Sequence, residues 1–172
     1  MLAVVCDSSP LVYLSKLDQF QLLRHIYDAV LVPPAVWQEV AFGGEGMAES
    51  SNLIAAVIER WIRVETPSDL ARHEAELPAD LGRGEVEAIL LAHEKKAVLV
   101  TDDALGRSAA ESLGLEVTGT LGILIRAKRH NQLTSVKPFV DRLRQETNFR
   151  MTEPLYLETL RAAGEATAGT SN

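Results

Sequence analysis

Short apolar runs alternate with segments of helical period along most of this chain. Leu2-Ala3-Val4-Val5-Cys6, Ala29-Val30-Leu31-Val32, Ile62-Arg63-Val64, Ala97-Val98-Leu99-Val100-Thr101 and Leu115-Glu116-Val117-Thr118 each span three to five residues. They are rich in β-branched side chains and bounded by polar ones, the pattern of strands buried on both faces. Between them apolar residues recur at helical spacing. The pattern predicts helices over about 10–16, 18–27, 35–41, 50–60, 85–93, 104–113, 121–129, 137–146 and 153–163, with 68–76 a shorter candidate in a polar connection. Ser8-Ser9-Pro10 is a helix-start signal and Gly114 a helix stop. Gly43-Gly44-Glu45-Gly46 reads as a loop, and 164–172 as a small, polar, disordered tail. Strands alternating with helices predict an α/β domain with a central, mostly parallel sheet and helices on both faces. We take residues 1–163 as one domain, with 121–163 a C-terminal helical extension.

The polar residues that interrupt this pattern are disproportionately acidic. Asp7 follows the first strand, and Asp102-Asp103 follow the strand 97–101. In a parallel sheet those ends share one rim, where the chemistry of such folds gathers. The helix 85–93 descends into strand 97–101, so Glu85 in its first turn lies at the same rim. Glu39 lies early in the helix that follows the second strand. Four segments thus deliver carboxylates to one edge. Carboxylates at close range ionise together only at a cost, which a divalent cation relieves. Oxygen donors favour Mg2+ or Mn2+, and the four histidines, His25, His73, His93 and His130, do not fall in zinc-ligand spacings with Cys6. A metal at such a site suits phosphodiester hydrolysis. Glu87, two residues from Glu85, points to a different side of the helix. Glu85 borders the apolar stripe of Val86, Ile89 and Leu90 and is favoured over Glu87. Each acid also has a plainer reading. Asp7 and Asp102-Asp103 can be helix caps, Glu85 a first-turn charge and Glu39 a solvated helix residue. His93 is expected to be a core residue, and Cys6 small strand filler.

Composition changes the picture in three respects. The chain has 172 residues, 47% hydrophobic and 24% charged, which suits one soluble domain able to bury a core. Its net charge of -7 argues against a general nucleic-acid coat, though not against an enzyme that meets phosphates through a metal. Arg107, Arg126, Lys128, Arg129 and His130 form a local basic cluster, read either as a solvated helix face or as a phosphate contact. One cysteine, no signal-like segment and no long apolar run lead to the expectation of a cytoplasmic protein without membrane association.

The ordered set Val-Val-Cys-Asp7-Ser-Ser-Pro-Leu, Val-Pro-Pro-Ala-Val-Trp-Gln-Glu39-Val, Gly-Arg-Gly-Glu85-Val-Glu-Ala-Ile and Val-Leu-Val-Thr-Asp102-Asp103 resembles PIN domains. These are small metal-dependent nucleases that include the VapC-type toxin ribonucleases of toxin–antitoxin pairs. The segment Gly119-Thr120-Leu121-Gly122-Ile123-Leu124 is similar to that of a prokaryotic PIN-like subgroup. The resemblance covers about residues 3–163. It implies a three-layer PIN-like sandwich and an endoribonuclease dependent on Mg2+ or Mn2+. Asp7, Glu39, Glu85 and Asp103 would then be metal ligands, with Asp102 assisting and Glu87 the alternative to Glu85. Its setting would be an RNA-cleaving toxin checked by a small antitoxin protein. The apolar helix 53–61 and the C-terminal helices offer a surface for a homodimer. The alternative function is a catalytically weak PIN-like module that binds a small partner protein. In the ribonuclease reading Thr101 or Ser8 is expected to hydrogen-bond a carboxylate or a substrate phosphate.

Overall fold

The computed structural model describes residues 2–43, 46–68 and 74–165. Its elements are β1 (Ala3–Cys6), α1 (Ser8–Lys16), α2 (Leu22–Ile26), β2 (Ala29–Val32), α3 (Pro34–Phe42), α4 (Met47–Ile58) and β3 (Ile62–Val64), then a 3-10 turn (Glu74–Glu76). After these come α5 (Arg83–Lys95), β4 (Val98–Val100), α6 (Ala104–Ser112), β5 (Val117–Thr118), α7 (Thr120–Arg129), α8 (Lys137–Glu146) and α9 (Glu153–Ala162). Part of the helix expected over 68–76, the tip of the glycine loop and the tail from 166 onward lie outside the described residues.

The five strands form one parallel sheet in the order β3-β2-β1-β4-β5. The register sets Val4 against Val30 and Val5 against Leu99. The chain winds outward from β1 to β2 and β3, then returns across the sheet to β4 and β5. The crevice between the C-terminal ends of β1 and β4 is therefore the topological switch point, where ligands of open α/β sheets bind. Val4, Val5, Cys6, Leu99 and Val100 are buried, as both-face coverage requires. α5 is apolar around nearly its whole girth from Val86 to Ala92 and packs into this core with Leu31, Leu99 and Ala110.

Most boundaries shift by a residue or two, and three shifts have a local cause. Asp18 takes a left-handed φ of 59°, so α2 starts only at Leu22. α4 starts earlier, at Met47, where Gly46 in extended backbone leaves room for the Glu49 carboxylate. β5 shrinks to two half-buried residues because it is an edge strand. Cys6 is a free, fully buried thiol, as expected, and burial and then the neighbouring Asp7 push its pKa up.

The chain divides into two compact units, Met1–Thr120 and Leu121–Asn172. The first holds the whole sheet. The second is helical, with Ile123, Leu124, Ala127, Val140 and Leu143 buried. Its hub is Glu165, which accepts hydrogen bonds from Lys128 Nζ (2.6 Å), Ser135 Oγ (2.7 Å), Val136 N–H (2.6 Å) and Lys137 N–H (2.9 Å). One carboxylate thus closes the N-terminus of α8 and ties it to α7. Among the described residues no helix is long and apolar enough to cross a membrane.

Candidate active site

Asp7 stands where β1 stops. Its N–H donates to Val100 O at 2.9 Å, which extends the β1–β4 ladder by one step and fixes the side chain at the switch point. The carboxylate caps α1 through Ser8 N–H (2.8 Å) and accepts the Thr101 hydroxyl (3.0 Å). It is 5% exposed. Burial raises its pKa from 3.8 to about 6, helped by the charges of Glu85 and Glu39 and opposed by the Ser8 and Thr101 hydrogen bonds. A carboxylate this buried among other acids holds a charge that nothing in the chain fully answers.

Those neighbours come from three further segments. Glu39 lies on the exposed side of α3 and accepts the Ser8 hydroxyl. It rests against the first turn of α5, where a Cβ on Gly84 would meet its Oε1 at 2.9 Å and Oε2 at 3.0 Å. Glu85, half-buried in the same turn, accepts the Gly82 N–H at 2.7 Å. Its pKa is raised by burial, by the charge of Asp103 and hydrogen bonding to it, and by Glu39, against the pull of Gly82. Asp103 caps α6 by accepting the Gly106 N–H at 2.7 Å. Its own N–H donates to Thr101 Oγ1 at 3.2 Å. The Thr101 hydroxyl therefore links the two strand-end acids, accepting from Asp103 and donating to Asp7. The expected roles of Thr101 and Ser8 as hydrogen-bond donors to carboxylates are both realised.

Asp102 takes a different position from Asp103. Both of its oxygens are held by Thr120, one by the N–H (2.8 Å) and one by the hydroxyl (2.6 Å). Burial raises its pKa, while Thr120 and the Arg107 charge oppose the rise. The adjacent pair thus splits, Asp103 toward Glu85 and Asp102 toward Thr120 and Arg107. The sequence pointed to Gly119 and Thr120 only as the start of the Gly119–Leu124 segment, with no role for either. The signal was the Gly119-Thr120 pair at the start of α7, since a Cβ at position 119 would come 2.6 Å from Asp102 Oδ1.

Two sequence-based expectations reverse here. Glu87 was placed farther from the buried stripe than Glu85, yet it is the more deeply buried, at 2% exposure. Its carboxylate is committed to structure, accepting the Ala35 N–H (2.8 Å) and Arg83 Nε (2.9 Å). α5 packs against α3 as well as the sheet, so its second buried face did not show in the apolar stripe. His93 is exposed rather than a core residue, because α5 emerges from the core beyond Ala92. It lines an open surface groove of about 360 Å³ with Lys96, Val98 and Leu113–Glu116, at the sheet edge opposite the acids.

The donor set at the rim, carboxylates with two hydroxyls, suits a hard divalent cation. The raised pKa values of Asp7 and Glu85 mark the charge it would neutralise. Among the described residues no three His, Cys, Asp or Glu side chains are gathered at metal-holding geometry. Instead the carboxylates are tied to local donors: Ser8, Gly82 N–H, Gly106 N–H and Thr101.

A family model described as a PIN domain matches residues 3–165. Among solved structures, a PilT N-terminus domain protein, SSO1118, from the archaeon Sulfolobus solfataricus P2 aligns with a TM-score of 0.49 and 20% identity, over 72% of this chain and 90% of that one. VapBC2 from Rickettsia felis, bound to a DNA fragment from its promoter, aligns with a TM-score of 0.49 and 14% identity, over 69% and 98%. No curated protein matches.

Proposed function

Because the chain belongs to the PIN-domain family, we propose that it is a metal-dependent endoribonuclease that hydrolyses RNA phosphodiester bonds at the β1–β4 switch point. The observation that carries this reading is Asp7, a buried carboxylate flanked by the charges of Glu39 and Glu85 and pushed up to about 6. Asp7, Glu39, Glu85 and Asp103 would hold Mg2+ or Mn2+. The bound cation supplies the charge that activates water and steadies the leaving oxygen. The chain's own residues fix where that happens. Thr101 orients Asp7 and Asp103 relative to each other. Ser8 holds Glu39, and Gly84 lets it approach the first turn of α5. Asp102 supports the site by holding the start of α7 through Thr120.

The test is incubation of the purified protein with a labelled RNA pool and Mg2+ or Mn2+, beside an Asp7→Asn variant. The expected result is cleavage that the variant and a chelator both abolish. Cleavage that survives either one would sink the metal–carboxylate mechanism.

The partner in this reading is a small antitoxin protein. Support comes from the net charge of -7, which favours a basic or arginine-bearing segment at the acidic rim, and from the exposed apolar side chains Phe42 and Met47. Co-purification of the product of an adjacent small reading frame, with loss of cleavage on its addition, is the corresponding test. Homodimer formation and a cytoplasmic setting belong to the same reading, and sedimentation of the purified chain checks the first.

A further inference from the structure

Arg107 is a cation that the fold builds into the acidic rim. Its Nη2 donates at 3.3 Å to Thr101 O, the carbonyl just before Asp102-Asp103. Asp102, itself fixed by Thr120, lends it a facing negative charge. Gly119 leaves the space, since a Cβ there would lie 3.3 Å from Arg107 Nη2 and 3.0 Å from Thr101 O. Glu111, one turn along α6, makes only a long, partly exposed ion pair with it, at 4.0 Å from Nη1. The Arg107 side chain is 38% exposed. A guanidinium carries five N–H donors in a planar fork that matches a phosphate bidentately. Arg83, the cation of the first turn of α5, is held at much shorter range by Glu87, at 2.9 Å.

We propose that Arg107 binds a backbone phosphate of single-stranded RNA adjoining the cleaved bond, with Asp102 as the positioning residue that holds it there. This rests on the ribonuclease reading above and assigns one of its substrate contacts. The basic side chains of the stretch 126–130 are not needed for it; Lys128 is already taken up by Glu165. In a chain of net charge -7, a fixed cation beside the acids gives the polyanion an attractive point of approach.

The experiment compares cleavage of a mixed-sequence single-stranded RNA in Mn2+ by the wild-type chain, Arg107→Gln, Arg107→Lys and Asp102→Asn, at several salt concentrations. Chemistry slower than dissociation makes KM a measure of binding. Arg107→Gln should raise KM about tenfold and leave kcat within about twofold. The slope of log(1/KM) against log[salt] should shrink in magnitude by about 0.7, the share of one phosphate on a single strand. Arg107→Lys should keep the slope but lose part of the affinity, because an ammonium cannot reproduce the fork. Asp102→Asn should fall between wild type and Arg107→Gln in KM. An unchanged slope and KM in Arg107→Gln, with wild-type cleavage intact, would overturn the phosphate contact and leave the nuclease reading standing. Absence of cleavage by the wild-type chain would overturn both.

Discussion

Glu87, buried in α5, accepts the backbone N–H of Ala35 at 2.8 Å and so closes the first turn of α3, the helix that carries Glu39. Pro33 and Pro34 have no N–H to offer, so Ala35 is the first donor of that turn, and its partner comes from 52 residues away. The result is a division of labour between two glutamates two positions apart. Glu87→Ala should destabilise the fold by about 1–3 kcal/mol, because it leaves the buried Ala35 N–H unpaired. Glu85→Gln should leave stability unchanged or slightly higher and weaken divalent-cation binding. Chemical denaturation alongside a metal titration separates the two. Greater loss of metal binding in Glu87→Gln than in Glu85→Gln would show the roles exchanged.

Asp7 should act against the stability of the metal-free chain. Its folded pKa of about 6 lies above its ordinary value of 3.8. The folded state thus favours the protonated form. The destabilising contribution is nil below pH 3.8, grows as pH rises, and is complete above about pH 6. A displacement of that size corresponds to about 3 kcal/mol. Asp7→Asn, which keeps the Ser8 N–H acceptor, should therefore be the more stable protein at pH 7 and equal to wild type near pH 4, while losing cleavage. Denaturant titrations at the two pH values check this.

Addition of Mg2+ or Mn2+ should stabilise the folded chain at pH 7 by an amount that grows with the logarithm of concentration, about 2.7 kcal/mol at a hundredfold excess over Kd, and raise the thermal midpoint accordingly. The gain should shrink at pH 5, where Asp7 is largely protonated and protons compete with the cation. A pH-independent gain, or one retained by Asp7→Asn, would place the cation elsewhere.

Gly84→Ala tests the approach of Glu39 to α5. The added methyl would meet both Glu39 oxygens at 3.0 Å or less, and the contact is with the far end of an exposed side chain, which yields. Stability should stay within about 1 kcal/mol, alanine's better helix propensity offsetting the displacement. Cleavage should fall about tenfold through the displaced carboxylate. Isothermal denaturation and kinetics on the same preparation give both numbers.

In the second unit Glu165 carries the acid sensitivity. Burial alone would raise its pKa, but the hydrogen bonds from Lys128, Val136, Ser135 and Lys137 outweigh it and hold it at about 2, below the ordinary 4.5. Its stabilising contribution is complete above pH 4.5 and is lost as pH falls toward 2, about 3 kcal/mol in all. Glu165→Gln should open α7 and α8 to hydrogen exchange at neutral pH before the sheet, and acid should do the same to the wild-type chain.

The fold was legible in the sequence largely because the central strands are covered on both faces. Val4-Val5-Cys6 and Val98-Leu99-Val100 had to be continuous apolar runs, and each ends abruptly at a polar residue. The positions of Asp7 and Asp103 followed from the same feature. What the sequence concealed depends on contacts between distant segments. The burial of Glu87 comes from α3 lying over α5. The split of Asp102 from Asp103 comes from Thr120, and the exposure of His93 from where α5 leaves the core. A helical stripe records one packing partner, and these residues answer to a second.

The β1–β4 pairing also bears on when the site comes into being. The Thr101 hydroxyl reaches Asp7 across 94 residues of chain, and the intervening strands β2 and β3 add to the other side of β1. A nascent polypeptide still short of Asp103 has no fourth acid and, without β4 paired to β1, no second wall to the crevice. Closure of the crevice waits on a long-range parallel strand insertion, an intrinsically slow event. On the ribonuclease reading the site is incomplete until Asp103 has been made and β4 has docked on β1, an interval in which a binding partner already present could meet the chain first.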